Sequence, residues 1–180
     1  LKLTQAQYIE LITILAQKFI ASDDRYAGSA IIDDILSEYT LNIAAEIQIQ
    51  KQQIINTVSN ISESIENIHL DKELKDLIKL VEQWDKLAQP LQLAAQGKGQ
   101  YHSDSEELAH ILRELAIDFH NSHGKTAEAL LLTEVLKSVF AELPEFAERI
   151  GEDVDTLRNL EAEQQAEEQE YQESIRRNRE

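Results

Sequence analysis

The chain has 180 residues, of which 42% are hydrophobic and 28% are charged, and its formal net charge is −17. This composition is adequate for one sizeable hydrophobic core and argues against general disorder. The negative charge argues against binding to nucleic acid or to an anionic membrane, because neutralising phosphate groups requires clustered Lys and Arg.

The residue types that are absent or sparse narrow the class further. The chain contains no Cys, which excludes disulfides and cysteine-based zinc sites and favours a cytoplasmic location. It also contains no Met, from which we expect a fragment of a longer protein. The 5 Gly and 2 Pro are widely spaced, so an all-α helical bundle is predicted. The apolar runs are too short for a membrane span.

The first third of the chain predicts a short helix followed by a long one. Thr4 and Gln7 form a capping box at which helix 1 begins. The segment from Ser29 to about His69 contains neither Gly nor Pro. Within it we predict a long helix over about 40–69; two helices that meet near Thr40 are possible, because Tyr39-Thr40 is locally weak for helix.

One side of the long helix carries apolar residues that alternate mainly in steps of three and four. These are Ile47, Ile54, Val58, Ile61, Ile65 and Ile68. Such spacing places the side chains along one seam, as in a coiled coil. The seam can pack on other helices of the same chain, which is the preferred interpretation, or it can join two copies in a homodimer.

The middle of the chain predicts another helix and then a loop. This helix is capped by Asp71, and we expect Pro90 to break or kink it and to begin a short helix that ends at Gly97. A loop is predicted over 97–102. Ser103 or Ser105 is then expected to cap the following helix.

Residues 97–150 predict an antiparallel helix pair similar to a tetratricopeptide repeat. We expect helix over 106–120, a turn over 121–124, and a second helix up to Leu143 that stops at Pro144. The small residues Ala116 and Ala129 fall where the two helices must approach each other. Because modules of this kind bind other proteins, the pattern favours an interaction role.

The end of the chain predicts an acidic helical tail. After Gly151 a last helix is expected to begin near Asp153, and we assign 1–157 to a single helical domain, in which 1–96 precede the helix pair. Residues 158–180 form the tail, with frayed final turns. Its acidic residues indicate a solvated helix face, or alternatively an arm for a basic partner. These residues are Glu161, Glu163, Glu167, Glu168, Glu170 and Glu173.

No set of residues specifies a reaction, so the chain is predicted to be neither an enzyme nor a cofactor protein. Glu107 and His110 lie one helical turn apart, as in di-iron bundles, but such a site requires a second pair and two further carboxylates. A metalloprotein built on this pair is therefore the third hypothesis. Asp118, His120 and His123 near a helix end favour a structural role.

Four aromatic residues are candidates for contact with a protein partner. They are Trp84, Tyr101, Phe119 and Phe140. Aromatic side chains are enriched in binding hot spots, although a place in the core explains Trp84 as well.

Three strings resemble the C-terminal helical region of bacterial J-domain (DnaJ-like) cochaperone proteins. They are residues 84–90, 115–124 and 139–145, and the similarity spans roughly 75–157. The resemblance implies a scaffold that binds a partner or client protein, within an Hsp70 system. The His-Pro-Asp tripeptide of a J domain is missing, since Pro90 follows Gln89 and Pro144 follows Leu143. We therefore expect a non-enzymatic interaction module; a structural coiled-coil dimer is the second hypothesis.

Overall fold

The computed structural model describes residues 5–21, 29–66 and 70–177. This part of the chain holds six α-helices and no strand, so the predicted all-α class is confirmed. The helices are α1 (Gln5–Ala21), α2 (Ser29–Glu63), α3 (Leu70–Gly97), α4 (Ser103–His123), α5 (Thr126–Val139) and α6 (Pro144–Arg177).

Helix α3 is the centre of the bundle. It packs against α1 and α2 and also against α5, while α4, α5 and α6 pack in succession. Short connections at 124–125 and 140–143 make these three helices alternate in direction. One continuous core of buried apolar residues joins all six helices, and it includes Trp84, Phe119 and Leu132.

Helix α2 runs without interruption from Ser29 to Glu63, so the prediction of a helix over about 40–69 is wrong at both ends. The hydroxyl of Thr40 donates a hydrogen bond of 2.7 Å to the carbonyl of Leu36, one turn earlier. A residue of weak helix propensity is thereby accommodated inside the helix. The helix ends in a turn, where the N–H of Ser64 donates to the carbonyl of Ile61.

The apolar seam of α2 packs inside the chain, as the preferred interpretation has it. Five of its residues are between 0% and 9% exposed: Ile47, Ile54, Val58, Ile61 and Ile65. The sixth, Ile68, lies outside the described residues. The prediction that this seam joins two copies is therefore corrected, because these side chains already contact the core.

Helix α3 continues through Pro90, so the predicted break is wrong. Proline removes one backbone hydrogen bond and usually kinks a helix. Here the surrounding residues Leu87, Ala88 and Pro90 are all buried. The phenol of Tyr39 on α2 also donates a hydrogen bond of 2.8 Å to the carbonyl of Leu87. Tertiary packing thus favours helix on both sides of the proline.

Helix α4 is longer at both ends than the predicted 106–120. Its N-cap residue is His102, and neither Ser103 nor Ser105 caps it as predicted. Gly124 ends the helix in the left-handed conformation with φ +64°, and its N–H donates to the carbonyl of His120. This is the αL cap that glycine provides at helix C-termini, and it falls on the last residue of the predicted turn over 121–124.

The second helix of the pair, α5, ends at Val139, and Pro144 begins α6 instead of marking a stop. Proline suits the first turn of a helix because its missing N–H has no partner there. Helix α6 then passes through Gly151, which corrects the predicted start near Asp153. Ala116 and Ala129 are both buried, and their predicted place at the approach of the two helices stays a prediction.

Candidate functional site

A groove of about 320 Å³ runs between α4 and α6, with α5 beneath it. Three helices contribute its lining because α4 and α6 flank α5 on either side and do not close over it. The residues are Arg113, Ala116, Ile117, His120 and Asn121 from α4, Thr133 from α5, and Asp153, Thr156, Leu157 and Leu160 from α6.

An ion pair closes one end of the groove. Arg113 Nε lies 2.7 Å from Asp153 Oδ2, and Arg113 Nη2 lies 3.2 Å from Asp153 Oδ1, so the contact is bidentate. Planar pairing of this kind fixes geometry as well as adding energy. The pair therefore sets the spacing between α4 and α6, and the charges at this end are already satisfied by each other.

The centre of the groove is apolar and shallowly open. Ala116 and Thr133 form the floor, and the hydroxyl of Thr133 is satisfied by a hydrogen bond of 2.7 Å to the carbonyl of Ala129. Ile117 on one wall is 37% exposed, and Leu160 on the other is half-buried. The walls therefore present apolar surface that a partner can cover.

The other end of the groove opens along α6, which is much longer than the helices beside it. Helix α6 has 34 residues and α5 has 14. At 1.5 Å per residue, α6 therefore extends about 30 Å beyond α5. Residues 162–173 of this extension are all exposed. It is the largest stretch of the described chain without helix neighbours.

The face of α6 that lines the groove continues along the extension. From Leu157 onward, residues in alternating steps of three and four share this face. They are Leu157, Leu160, Gln164, Glu167, Tyr171 and Ser174, with Ile175 beside the last. We call this set the α6 seam. It is apolar at the groove and again near Tyr171, and polar between them.

Three of the four aromatic residues predicted to bind a partner are instead part of the core. Trp84, Phe119 and Phe140 are 0–1% exposed, so this prediction is corrected for them. Their size explains it, because burying a large ring contributes more to stability than burying any other side chain. Trp84 packs against the rings of Phe140 and His102, each with a centroid distance of 6.3 Å.

Tyr101 alone of these four is on the surface, at a smaller pocket of about 180 Å³ between the start of α4 and the start of α6. His110 and Phe146 also line it, and their rings meet edge to face at 5.9 Å. The groove and this pocket lie on opposite halves of α4. The structure therefore does not bring the four predicted residues together at one site.

A buried polar network connects α3 to the start of α4. Gln92 Nε2 donates a hydrogen bond of 3.0 Å to Ser105 Oγ, and Ser105 Oγ lies 2.9 Å from His102 Nδ1. Burial lowers the pKa of His102, which favours the neutral ring. Ser105 is 0% exposed, so this Ser–His contact is out of reach of a substrate and serves to join the two helices.

Two carboxyl groups lie beside this network. Burial, together with the nearby charge of Glu142, raises the pKa of Asp85 to about 7. Burial also raises the pKa of Glu142, against a hydrogen bond from Gln89. Both effects favour the protonated forms, because charge is costly in a partly desolvated site and two like charges repel.

The proposed di-iron pair is engaged elsewhere. Glu107 Oε2 lies 2.6 Å from Lys51 Nζ, which also contacts Asp104 Oδ1 at 2.6 Å. Burial opposes the charge of Lys51, but the hydrogen bonds and charges of these two carboxylates outweigh it and raise its pKa. Lys51 thus links α2 to α4. No three Asp, Glu or His side chains of the described residues are arranged to hold a metal ion.

The histidines at the end of α4 contact neighbouring side chains. His123 Nδ1 lies 2.9 Å from Glu66 Oε1, and His120 Nδ1 lies 3.2 Å from Thr126 Oγ1. Both residues are in the last turn of the helix, where they also face its free carbonyls. These contacts agree with the structural role expected from the sequence.

Comparison with known protein families, with curated proteins and with solved structures finds no match to this chain. Among the helices that the structure describes, none combines the length and the hydropathy that crossing a bilayer requires. The groove and the α6 seam were not found by sequence reasoning, although the three-four spacing of Leu157, Leu160, Tyr171 and Ile175 was a visible signal.

Proposed function

We propose that this chain is a non-enzymatic protein-interaction module, and that the groove between α4 and α6 binds the partner. The observation that carries the proposal is the continuity of the groove with the α6 seam. Apolar surface from Ile117 and Leu160, beside the buried Leu157, leads directly onto a helix face of which residues 162–173 are all exposed. A surface of this shape fits the helix-in-groove mode of recognition.

Binding is favoured over catalysis by the state of the polar groups in the groove. Arg113 and Asp153 are paired with each other, and Thr133 is bonded to backbone. Groups that are satisfied in this way orient helices, and the imidazole that lines the groove, His120, already contacts Thr126 Oγ1 through its Nδ1 at 3.2 Å. We extend the proposal to a cytoplasmic, chaperone-linked setting, on the resemblance of residues 84–90, 115–124 and 139–145 to the J-domain cochaperone region.

Affinity capture from a bacterial lysate, with and without ATP, tests the proposal when the groove is varied. The baits are the wild-type chain, Ile117→Asp, and Leu131→Asp as a matched control. Leu131 is 41% exposed, close to the 37% of Ile117, but it lies on α5 beside α3 and outside the groove. Each variant places one charge on a comparable apolar surface.

We expect a partner that is retained by the wild type and by Leu131→Asp and lost by Ile117→Asp. An Hsp70 or a set of unfolded clients among the retained proteins supports the chaperone link. If the two variants capture the same proteins as the wild type, the groove is not the binding surface. If the wild type captures nothing above background, the interaction role itself is refuted.

A further inference from the structure

The acidic residues of α6 are concentrated beside its seam. With Leu157 as heptad position a and Leu160 as d, Glu161 and Glu168 occupy e positions, and Glu163 and Glu170 occupy g positions. The far side of the helix at b, c and f is nearly free of negative charge between 158 and 173. It carries Asn159, Ala162, Gln165, Ala166, Gln169, Gln172 and Glu173, whereas Arg158 at a b position contacts Glu134 of α5 at 2.7 Å.

This placement distinguishes the α6 seam from a uniformly solvated acidic helix. If solvation alone were required, Glu residues would be equally suitable at b, c and f. The e and g positions are those that set the choice of partner between helices that pack side by side. All four residues at these positions from 161 to 170 are Glu, and each of them is at the edge of the surface that a partner would cover.

The same charges decide between a second copy and a different partner. Two copies joined through this seam would bring the e and g glutamates of one chain against those of the other. Like charges at such positions are destabilising, whereas Lys or Arg opposite Glu is favourable. The seam is also interrupted by Gln164 and Glu167, which weakens a purely apolar dimer.

We infer that the groove and the α6 seam bind an amphipathic helix of a partner protein that carries Lys or Arg on both sides of its apolar stripe. The inference rests on the proposed function, since it names the chemistry of the partner at the same site. Apolar residues of the partner cover Ile117 and Leu160 in the groove, and its basic residues lie along the extension.

The dimensions set the length of helix that the surface accommodates. Tyr171 follows Leu157 by 14 positions, which is about 21 Å and about four helical turns. A partner helix of roughly three heptads therefore reaches from the Arg113–Asp153 pair, which closes the groove, to the second apolar patch at Tyr171. A shorter helix would contact only one of the two apolar parts of the surface.

The test uses fluorescence anisotropy with a labelled synthetic peptide of three heptads. The peptide has Leu at a and d, Lys at e and g, and Gln or Ala elsewhere; a second peptide has Glu in place of every Lys. Two quadruple variants of the chain are compared. One carries Glu161→Gln, Glu163→Gln, Glu168→Gln and Glu170→Gln, and the other carries Ala162→Lys, Gln165→Lys, Gln169→Lys and Gln172→Lys.

Both quadruple variants raise the net charge by four, but only the first alters the flanks of the seam. We expect the Lys peptide to bind the wild type at least about tenfold more tightly than the Glu peptide, a difference of about 1.4 kcal/mol. The Gln variant should lose about tenfold in affinity for the Lys peptide and the Lys variant less than about threefold. Circular dichroism verifies that each variant remains helical.

The result overturns the inference if the Lys peptide does not bind, if both peptides bind equally, or if the two quadruple variants weaken binding equally. In the last case the attraction is a general effect of net charge. The capture result for Ile117→Asp, read beside the peptide assay, separates the two proposals. A natural partner lost from this variant, together with no preference for the Lys peptide, leaves the groove as a binding site but refutes a basic helix as its occupant.

Discussion

Replacing Asp85 with Asn should stabilise the protein in a pH-dependent way. Burial and the charge of Glu142 raise the pKa of the Asp85 carboxyl from its ordinary value of 3.8 to about 7. Between these pH values the folded chain keeps a proton that the unfolded chain has lost. The free energy of unfolding therefore falls as pH rises through this window, and this loss of stability is complete above about pH 7.

The magnitude follows from the width of the window. The difference between the pKa values of 3.8 and about 7 corresponds to a loss of about 4 kcal/mol in the free energy of unfolding, at about 1.4 kcal/mol for each pH unit. Part of this is shared with Glu142, because the two groups titrate together. Asn keeps the shape of Asp without a charge. Its advantage over the wild type should therefore grow by about 2–3 kcal/mol between pH 5 and pH 8.

Urea unfolding at pH 5 and pH 8 measures this difference. Trp84 is the only Trp in the chain and is fully buried, so its fluorescence reports unfolding without a label. Asp76→Asn is the matched control, since Asp76 is an exposed aspartate on the same helix. Its stability difference from the wild type should be the same at both pH values. The reasoning is refuted if the advantage of Asp85→Asn is equally independent of pH, or if that variant is the less stable chain at pH 8.

Two further predictions concern the link between helices and the helix bounds. Lys51→Met should lower the free energy of unfolding by about 1–3 kcal/mol, because Asp104 Oδ1 and Glu107 Oε2 lose their shared cation and Asp104 keeps only its hydrogen bond from Gln48. Lys79→Met, which removes an exposed ion pair, should lower it by less than about 0.5 kcal/mol. Equal losses in urea unfolding would argue against a buried link between α2 and α4. Gly124→Ala should destabilise the chain by about 1 kcal/mol, because φ is +64° there. Gly151→Ala should stabilise it by about 0.5–1 kcal/mol, because α6 passes through that residue and the nearest atom to the added Cβ is 4.0 Å away. Thermal unfolding that shows a loss of stability for Gly151→Ala would contradict the continuous helix.

The fold class was predictable because helix propensity and apolar spacing act locally. The seam of Ile54, Val58 and Ile61 was visible in the sequence, and so were the small residues Ala116 and Ala129, which are buried. The helix bounds were less predictable wherever tertiary contacts override a local preference. Pro90 remains inside α3 because its neighbours are buried, and Thr40 bonds its hydroxyl within α2.

The candidate site was harder to predict than the fold. Aromatic residues were expected at a binding surface, but Trp84 and Phe119 fill the core, as large rings usually do when a core has room for them. The groove depends on which faces of α4 and α6 remain uncovered by α5, and no local pattern specifies that. The run of acidic residues in the tail is plain in the sequence, but its relation to the groove depends on the unbroken course of α6 from Pro144.

Because α6 is one unbroken helix, the number of residues between Leu160 and Tyr171 determines the direction in which the distal face points around the helix axis. Deleting or inserting one residue there would turn the distal face by about 100° around the helix axis, with the bundle left intact. Inserting seven residues would return that face to within about 20° and carry it about 10 Å outward. Natural variation in this segment should therefore come in whole heptads if the groove and the distal face act on one partner.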